Sequence, residues 1–354
     1  MQEKRFRNQV SWMMFLLSIL VIWVHSYNAE LFAGGQWGPA WECVDRFQTL
    51  ISTGIGQIAV PGFFMLSSYL FFRNFAWGQL VQKWKRRFFS VAVPYAAWNL
   101  LYYFGYVIAT RIPMVRSVVG KEPIPFNIEE MIRAVLHYAY APIFWYLFQL
   151  IFLIGLSPII YIAVKNRIVG LLYLGVLLVA IHFHWDFSRP NTDALFYYSL
   201  AAYGAVHGSQ WMEEKGTGKH MALSLVMVTA GMICYNQMKA DGADVLWLIG
   251  YRTWIPIFLW MALSCLTLPK TKPWMCMSMF LYAIHFIILR FINKATAMAL
   301  IRFAPQELWP VASVTIYILL PAIIVACSYL AARFLMRFMP VLWRILSGGR
   351  SLGT

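Results

Sequence analysis

Residues 12–28 read WMMFLLSILVIWVHSYN, and this run is the strongest indication of the fold of the chain. Before His25 its only polar side chain is Ser18, so the run is long and apolar enough to cross a bilayer as a helix. Basic residues precede it, as they do in a signal peptide. However, the bulky Tyr27 and Glu30 stand where a cleavage site would need small residues. We therefore predict that this helix is retained.

The composition of the chain excludes a soluble globular protein. Of its 354 residues, 61% are hydrophobic and 12% are charged, whereas soluble domains are about half apolar and about a quarter charged. Apolar runs near the length of a membrane helix recur along the chain, which predicts an all-α fold. We expect a polytopic integral membrane helix bundle of about ten transmembrane helices, forming a single domain over residues 1–354. The predicted spans are 10–28, 50–72, 89–110, 143–164, 168–185, 193–210, 219–237, 247–268, 275–293 and 309–332.

The positive charge of the chain is distributed as a topology signal. The formal net charge is +15, from 29 Lys and Arg against 14 Asp and Glu. With both termini in the cytoplasm, the inner segments would hold 18 of the 29 basic residues and 3 of the 14 acidic ones. Basic residues concentrate on the cytoplasmic side of membrane proteins. The charge therefore predicts cytoplasmic N and C termini, and it gives no reason to expect nucleic acid as a partner.

Two histidines lie within apolar stretches and are the first candidates for function, because an ionisable group inside a membrane is costly to place there. At a rise of about 1.5 Å per residue, His25 lies roughly 21 Å along the first helix from Ser11, and His285 about 16 Å along the ninth from Trp274. Both helices start from the inner side, so we expect the imidazoles at a similar depth. They could share one cavity, or each could be an isolated histidine bonded to a neighbouring helix.

Histidine suits acyl-transfer or proton-transfer chemistry, since an unperturbed pKa of about 6.5 lets it take and return a proton at neutral pH. The polar residues 26–28 follow His25. Asn28 among them could donate hydrogen bonds to a developing oxyanion, or it could satisfy the end of the helix. His182 and His184 have no third ligand nearby in sequence, and the five cysteines lack metal-type spacing. No metal site is predicted.

The inner connection from Arg73 to Phe88 is predicted to be a basic helix that lies in the membrane interface. Its apolar side chains fall on one helical face and its basic side chains surround the rest. The basic cluster could hold the phosphates of a cofactor such as coenzyme A, or it could bind anionic lipid. The members of this cluster are Lys83, Lys85, Arg86 and Arg87.

The outer connection from Arg111 to Pro142 is predicted to carry an amphipathic helix of its own. It contains a capping-box pattern, Asn127 followed three residues later by Glu130, and apolar residues then repeat at helical spacing. Such a helix could line a cavity or simply pack against the bundle. On the same outer side, the residues that could contact an anionic or sugar substrate are Arg252, Arg290, Arg302 and the group 182–186.

Six short motifs follow one another along most of the first 160 residues and in the ninth helix. They are VIWVHS at 21–26, VPGFFMLSSYL at 60–70, KRR at 85–87, Pro94-Tyr95 with Trp98, FWYL at 144–147 and LYAIH at 281–285. In kind and in order, these motifs resemble those of the acyltransferase 3 superfamily of bacterial membrane acyltransferases.

The resemblance implies an O-acyltransferase of the bacterial cytoplasmic (inner) membrane. Its co-substrate would be acyl-coenzyme A, expected to be acetyl-coenzyme A, and its acceptor a hydroxyl of a cell-surface or lipid-linked sugar. His25 would act as the general base or pass through a short-lived acyl-imidazole, while His285 and Tyr282 would orient the reacting groups. The residues that would hold the donor phosphates are Arg73, Lys85, Arg86 and Arg87.

The chain departs from the family pattern at three places. Met14 stands where the family usually has an arginine, eleven positions before the first-helix histidine. Ser68 replaces the usual glycine after Ser67, and Phe148-Gln149 stands where an Arg-Asp pair is frequent. These losses leave open how an acyl donor would be held. A transporter or exporter, built on the same bundle with the histidines in a proton or substrate path, is therefore the alternative function.

Overall fold

All regular secondary structure of the protein is helical where the computed structural model describes it, over residues 2–113, 115–116 and 121–350. Within these ranges, six helices are long and apolar enough to cross a membrane, and up to eight spans result if each of two bent helix pairs counts as one. The all-α membrane bundle is therefore confirmed. The count of about ten transmembrane helices is not confirmed and stays a prediction.

The first helix, α1 (Gln2–His25), places one apolar stripe toward the interior of the bundle. Phe6, Met13 and Leu17 belong to this stripe and are buried, whereas many of the apolar side chains between them stay partly exposed. A helix with one buried face and one apolar exposed face is suited to lie between protein and lipid. The helix ends at His25, so this residue lies next to a short non-helical segment, residues 26–28, rather than in mid-helix.

The second span is one long helical run with an irregular middle. It follows the short helix α2 (Ala29–Ala33). Here α3 (Pro39–Thr49) continues through a π-helical segment (Leu50–Ile55) and a 3-10 turn (Gly56–Ile58) into α4 (Ala59–Phe72). Pro61 explains where the irregularity falls. It has no N–H for the carbonyl four residues earlier, and its ring crowds the preceding turn. Regular α-helical bonding is therefore interrupted just before Pro61.

The rest of the bundle alternates long and short helices. Long helices in the second half of the chain meet the length of a span, whereas those in the middle are short or bent. The remaining helices are α5 (Leu80–Arg87), α6 (Val93–Ala109), α7 (Ile128–His137), α8 (Trp145–Gly155), α9 (Ser157–Val164), α10 (Arg167–His182), α11 (Thr192–His207), α12 (Ser209–Glu213), α13 (Gly218–Gln237), α14 (Val245–Cys265), α15 (Ser278–Phe303), α16 (Trp309–Phe338) and α17 (Pro340–Ser347).

A proline breaks the span expected at 143–164 and helps to anchor the basic helix. Pro158, in the first turn of α9, cannot donate to the carbonyl of Ile154 in α8. The indole of Trp84 in α5 donates to that carbonyl instead, at 2.9 Å. The broken helix therefore supplies the acceptor that fastens α5, the predicted interfacial helix, to the bundle.

The outer connection contains the predicted amphipathic helix, although residues 114 and 117–120 of this connection lie outside the described residues. The side chain of Asn127 accepts from the backbone N–H of Glu130 at 2.8 Å and caps α7, as the pattern predicts. The reciprocal half of the capping box is different. The backbone N–H of Asn127 donates to the Tyr103 hydroxyl at 3.1 Å, and Glu130 accepts from the Tyr140 hydroxyl at 2.5 Å. Tertiary partners have replaced the local one.

The N terminus, α5 and the end of α17 meet at one end of the bundle, here called the basic end and defined by Arg73, Arg87 and Arg350. Arg73 forms ion pairs with Glu3 of α1 at 2.7 Å and with Glu213 of α12 at 2.6 Å. The last helix is held nearby by a hydrogen bond from the indole of Trp98 to the carbonyl of Leu346, at 3.0 Å. The two ends of the chain therefore share one side; its assignment to the cytoplasm stays a prediction.

Candidate functional site

The two histidines singled out in the sequence face each other in the interior of the bundle. The ring centroids of His25 and His285 are 5.5 Å apart, with 37° between the ring planes. Helices α1 and α15 bring them together because they pack side by side. Of the two arrangements that the sequence allowed, the structure has the pair and not two isolated rings.

The position of the ring proton of His285 follows from its single hydrogen bond. Its Nδ1 lies 2.6 Å from the carbonyl oxygen of Tyr282. A carbonyl oxygen can only accept, so Nδ1 carries the hydrogen and Nε2 of the neutral ring carries a lone pair. His285 is fully buried, and its Nε2 has no hydrogen-bond partner among the described residues. A buried acceptor without a partner is costly, which marks it as a position for a bound group.

His25 is less confined than its neighbour. Its side chain is half-buried, and within the described part of the chain no hydrogen bond to its ring nitrogens is present. The edge of Phe286 packs against it, with centroids 5.6 Å apart, and the guanidinium of Arg290 lies 4.7 Å from the Phe286 ring centroid. His25 can therefore receive a substrate group at a ring nitrogen, with a positive charge close by.

Tyr282 connects the histidine pair to the packing around it. Its backbone carbonyl orients His285, and its hydroxyl donates to the backbone carbonyl of Ile143. Its ring packs edge-on against Tyr146, with centroids 5.8 Å apart. The contact between the Tyr282 carbonyl and His285 is consistent with the predicted orienting role of Tyr282, which stays a prediction. The Tyr282 hydroxyl is already bonded to a main-chain oxygen.

Asn28 lies in a buried polar network beyond the end of α1. Its side-chain oxygen accepts from Gln48 at 2.8 Å and from Ser313 at 2.7 Å, and its side-chain amide lies 3.3 Å from Asn293. Gln48 also accepts from the backbone N–H groups of Asn28 and Ala29, at 2.9 and 3.2 Å. The network joins the segment that follows α1 to α3, α15 and α16. Participation of Asn28 in an oxyanion hole stays a prediction, and its observed contacts are structural.

The other three members of this network were not predicted from the sequence. Gln48, Asn293 and Ser313 each lie in or beside an apolar run. A polar residue in such a run is a sequence pattern that could have indicated them. All three are almost fully buried. Buried polar groups require partners, so such residues should have been expected to find one another.

Replacement of Gln48 with leucine is expected to lower the stability of the bundle by about 3 kcal/mol or more. The change would leave two backbone N–H groups and part of the Asn28 amide buried without partners, each at a cost of about 1–3 kcal/mol. The measurement is thermal denaturation of the detergent-solubilised protein. Arg46→Gln on the same helix is the control, because its ion pair with Glu42 is exposed and worth little. Equal melting temperatures for the two variants would contradict a structural role of the network.

A cavity of about 60 Å³ lies at the basic end, between α1, α4, α8 and α15. A narrow crevice adjoins it and reaches His285. Phe63 and Tyr282 line both spaces and separate them. The crevice has no room for a water-sized sphere. The side chains that give the cavity its chemical character are Met14, Ser67, Arg87, Tyr146, Tyr282 and Arg350.

Of the four cations predicted to hold donor phosphates, one lines this cavity. Arg87 does so, and its guanidinium donates to the carbonyl of Ser67 at 3.4 Å. Lys85 and Arg86 are exposed on α5. Arg73 is held by the carboxylates of Glu213 and Glu3, which raise its pKa above the ordinary value. A binding role for these three stays a prediction, and Arg73 would first have to leave its ion pairs.

The candidates on the predicted outer side are spread over several helices. Arg290 is the one near the histidine pair. Arg252 lies 3.9 Å from Asp193, and Arg302 lies against the ring of Phe303. From the group 182–186, His182 contacts Asp244 at 2.5 Å. Among the described residues, no group of three His, Cys, Asp or Glu side chains is arranged to hold a metal ion.

The protein is therefore a multi-pass membrane helix bundle with two adjacent histidines in its interior. The chain belongs to the acyltransferase 3 family. The family model, described as an acyltransferase domain, matches residues 7–333, which includes both histidines and the cavity residues other than Arg350. The protein is thus a membrane acyltransferase by family. No curated protein and no solved structure matches the chain.

Proposed function

We propose that the protein transfers an acyl group, expected to be acetyl, from acyl-coenzyme A to a hydroxyl of a cell-surface or lipid-linked sugar. The proposal rests on the His25–His285 pair, whose ring centroids are 5.5 Å apart. The cavity lined by Arg87 and the adjoining crevice that reaches His285 lead from the basic end toward this pair. Met14 lines the first of these spaces and precedes His25 by eleven residues, or about 16 Å of helix. A donor with phosphates near Arg87 needs a long thin arm to reach the histidines, and the pantetheine arm of coenzyme A has that form.

The chemistry is a single displacement with one proton transferred. The unprotonated ring nitrogen of His25 takes the proton of the acceptor hydroxyl while that oxygen attacks the thioester carbonyl carbon. The tetrahedral intermediate collapses with cleavage of the carbon–sulfur bond. The new ester remains on the sugar, and the thiolate of coenzyme A takes the proton back from His25. Arg290, close to His25, is placed to favour the negative charge that develops on the carbonyl oxygen.

The two histidines are expected to have different roles. His285 is locked by the Tyr282 carbonyl and fully buried, so it is suited to orient a neighbouring group through Nε2. His25 is half-buried and has both ring nitrogens unengaged within the described residues, so it is suited to meet the acceptor. The narrow crevice between the cavity and the pair would exclude water from the thioester, which protects it from hydrolysis. Entry of an acyl group requires Phe63 or Tyr282 to move.

The donor and the acceptor are identified by one experiment. We expect purified protein in proteoliposomes to move label from acetyl-coenzyme A onto extracted envelope glycan, and mass spectrometry to find one added acetyl mass on a specific sugar. Cells with and without the protein should differ by the same mass. Absence of any acyl gain on glycan, with the protein folded and donor present, would count against the proposed reaction.

A transporter remains the second candidate, and its supporting observation is the pair of histidines inside the bundle. Proteoliposomes without any acyl donor separate the two functions. Uptake or efflux of a sugar under those conditions would favour transport, whereas dependence of the sugar modification on acetyl-coenzyme A would favour transfer.

A further inference from the structure

The C-terminal segment of the chain is turned back into the bundle by a defined motif. Helix α17 ends in a Schellman motif: the N–H of Gly349 donates to the carbonyl of Arg344 at 2.8 Å, and that of Gly348 to the carbonyl of Ile345 at 3.3 Å. Gly348 and Gly349 have φ of +69° and +73°, a region that favours glycine. The motif reverses the chain direction and brings Arg350 into the cavity at the basic end.

Close packing holds this turn against the π-helical segment Phe88–Ala92, which leads into α6. A Cβ atom at Gly348 would lie 2.6 Å from the carbonyl oxygen of Ser90, so only glycine fits there. Trp343 of α17 packs on Phe280 with ring centroids 5.1 Å apart, and Leu346 is buried. Arg350 therefore follows directly on a closely packed segment, which sets its position at the cavity.

Two guanidinium groups consequently line one small cavity. Arg87 and Arg350 both contribute to its wall, and burial followed by the positive charge of Arg87 lowers the pKa of Arg350 to about 10, so Arg350 is charged at neutral pH. Over residues 2–113, 115–116 and 121–350, no carboxylate forms an ion pair with either group. Like charges in a confined space repel, so an anion is the group that this arrangement would bind.

We propose that Arg350, together with Arg87, binds a phosphate group of the acyl donor, so that the C-terminal turn completes the donor site. The proposal rests on the proposed function and adds a binding residue to it. Arg350 lies beyond the residues matched by the family model, which end at 333. It lines the same cavity as Met14, the position at which the sequence lacks a cation. Arg350 thus supplies a positive charge to the cavity wall at which α1 has the uncharged Met14.

The test compares two ligands that differ in phosphate. Calorimetry of the full-length protein in detergent would measure binding of coenzyme A and of pantetheine, which has the same arm without phosphates. Loss of a hydrogen-bonded ion pair is expected to weaken coenzyme A binding to the Arg350→Ala variant by about 10- to 100-fold. Pantetheine binding should stay unchanged. Arg350→Lys should recover part of the affinity, since it keeps the charge but not the bidentate geometry.

The matched control is Arg344→Ala, an exposed arginine on the same helix, which should bind both ligands as the wild type does. An equal loss for coenzyme A and pantetheine in Arg350→Ala would mean that the turn is only structural and would overturn the proposal. So would unchanged binding of both. If the variant instead lost anionic lipid in native mass spectrometry while coenzyme A binding was unchanged, the phosphate bound there would belong to a lipid headgroup. If the wild type bound coenzyme A but transferred no acyl group, the donor site proposed here would stand and only the proposed function would be contradicted.

Discussion

Replacing His25 with alanine is expected to reduce kcat for acyl transfer by about 10²- to 10⁴-fold, the contribution typical of a positioned general base. The half-buried ring is the group in the described structure that can meet the acceptor hydroxyl, and alanine cannot accept its proton. Transfer of labelled acetyl to glycan in proteoliposomes is the measurement. Binding of coenzyme A should change little, because the donor cavity lies about 16 Å away along α1.

The control for this variant is His137→Ala, which removes an exposed histidine at the end of α7. It should insert, elute and turn over as the wild type does. A His25→Ala protein that is equally well folded but transfers acetyl at a near-normal rate would remove His25 from the mechanism. A His25→Ala protein that fails to insert would leave His25→Gln, which is closer to histidine in volume, as the variant to measure.

Replacing His285 with leucine is expected to reduce kcat by about 100-fold, because it removes the unpartnered Nε2 acceptor of the ring beside His25. Leucine also removes the side-chain hydrogen bond to the Tyr282 carbonyl, which keeps its helical partner, so the expected loss of stability is about 1 kcal/mol. His285→Gln keeps a donor for that carbonyl, so it should restore stability without restoring the rate. Thermal denaturation and single-turnover transfer, measured on both variants, separate the two effects.

The two histidines should act as a unit. The double variant His25→Ala/His285→Leu is then expected to transfer acetyl no more slowly than His25→Ala alone, because residues that serve one step do not contribute additively. Multiplied losses in the double variant would show that the rings act in separate steps, and would assign His285 a role independent of His25.

Local patterns of the sequence were sufficient for the membrane class, the helical fold and the similar level of the two histidines along their helices. The apolar run that ends at His25 and the rise per residue required only helix geometry. Asn127 was predicted as a helix cap for the same reason, since a cap depends on residues three positions apart. The same reasoning failed for Glu130, which accepts from the Tyr140 hydroxyl, because nothing local distinguishes the two possible donors, that hydroxyl and the backbone N–H of Asn127.

Partners far apart in the chain were not predictable in this way. Arg73 was expected to be available to a donor, yet Glu3 and Glu213 from two other helices hold it. Gln48 was not predicted as a site of polar contacts, yet its amide links Asn28, beyond the end of α1, to Ser313 of α16. Arg350 was counted as a charge on the inner side, and the turn at Gly348 and Gly349 brings it into the cavity.

The amino-acid sequence was enough to predict that this protein crosses a membrane as helices, because hydrocarbon excludes unpaired backbone groups and apolar runs of sufficient length leave no other solution. It was also enough to predict two imidazoles at one level, since each lies a countable number of turns from the same side. The folded arrangement was needed to show that the two rings are adjacent, that one cation of the basic cluster lines the cavity, and that the C-terminal segment brings Arg350 there. Helix rotation and packing set these contacts, and they depend on the shapes of side chains from distant segments, which no local pattern records.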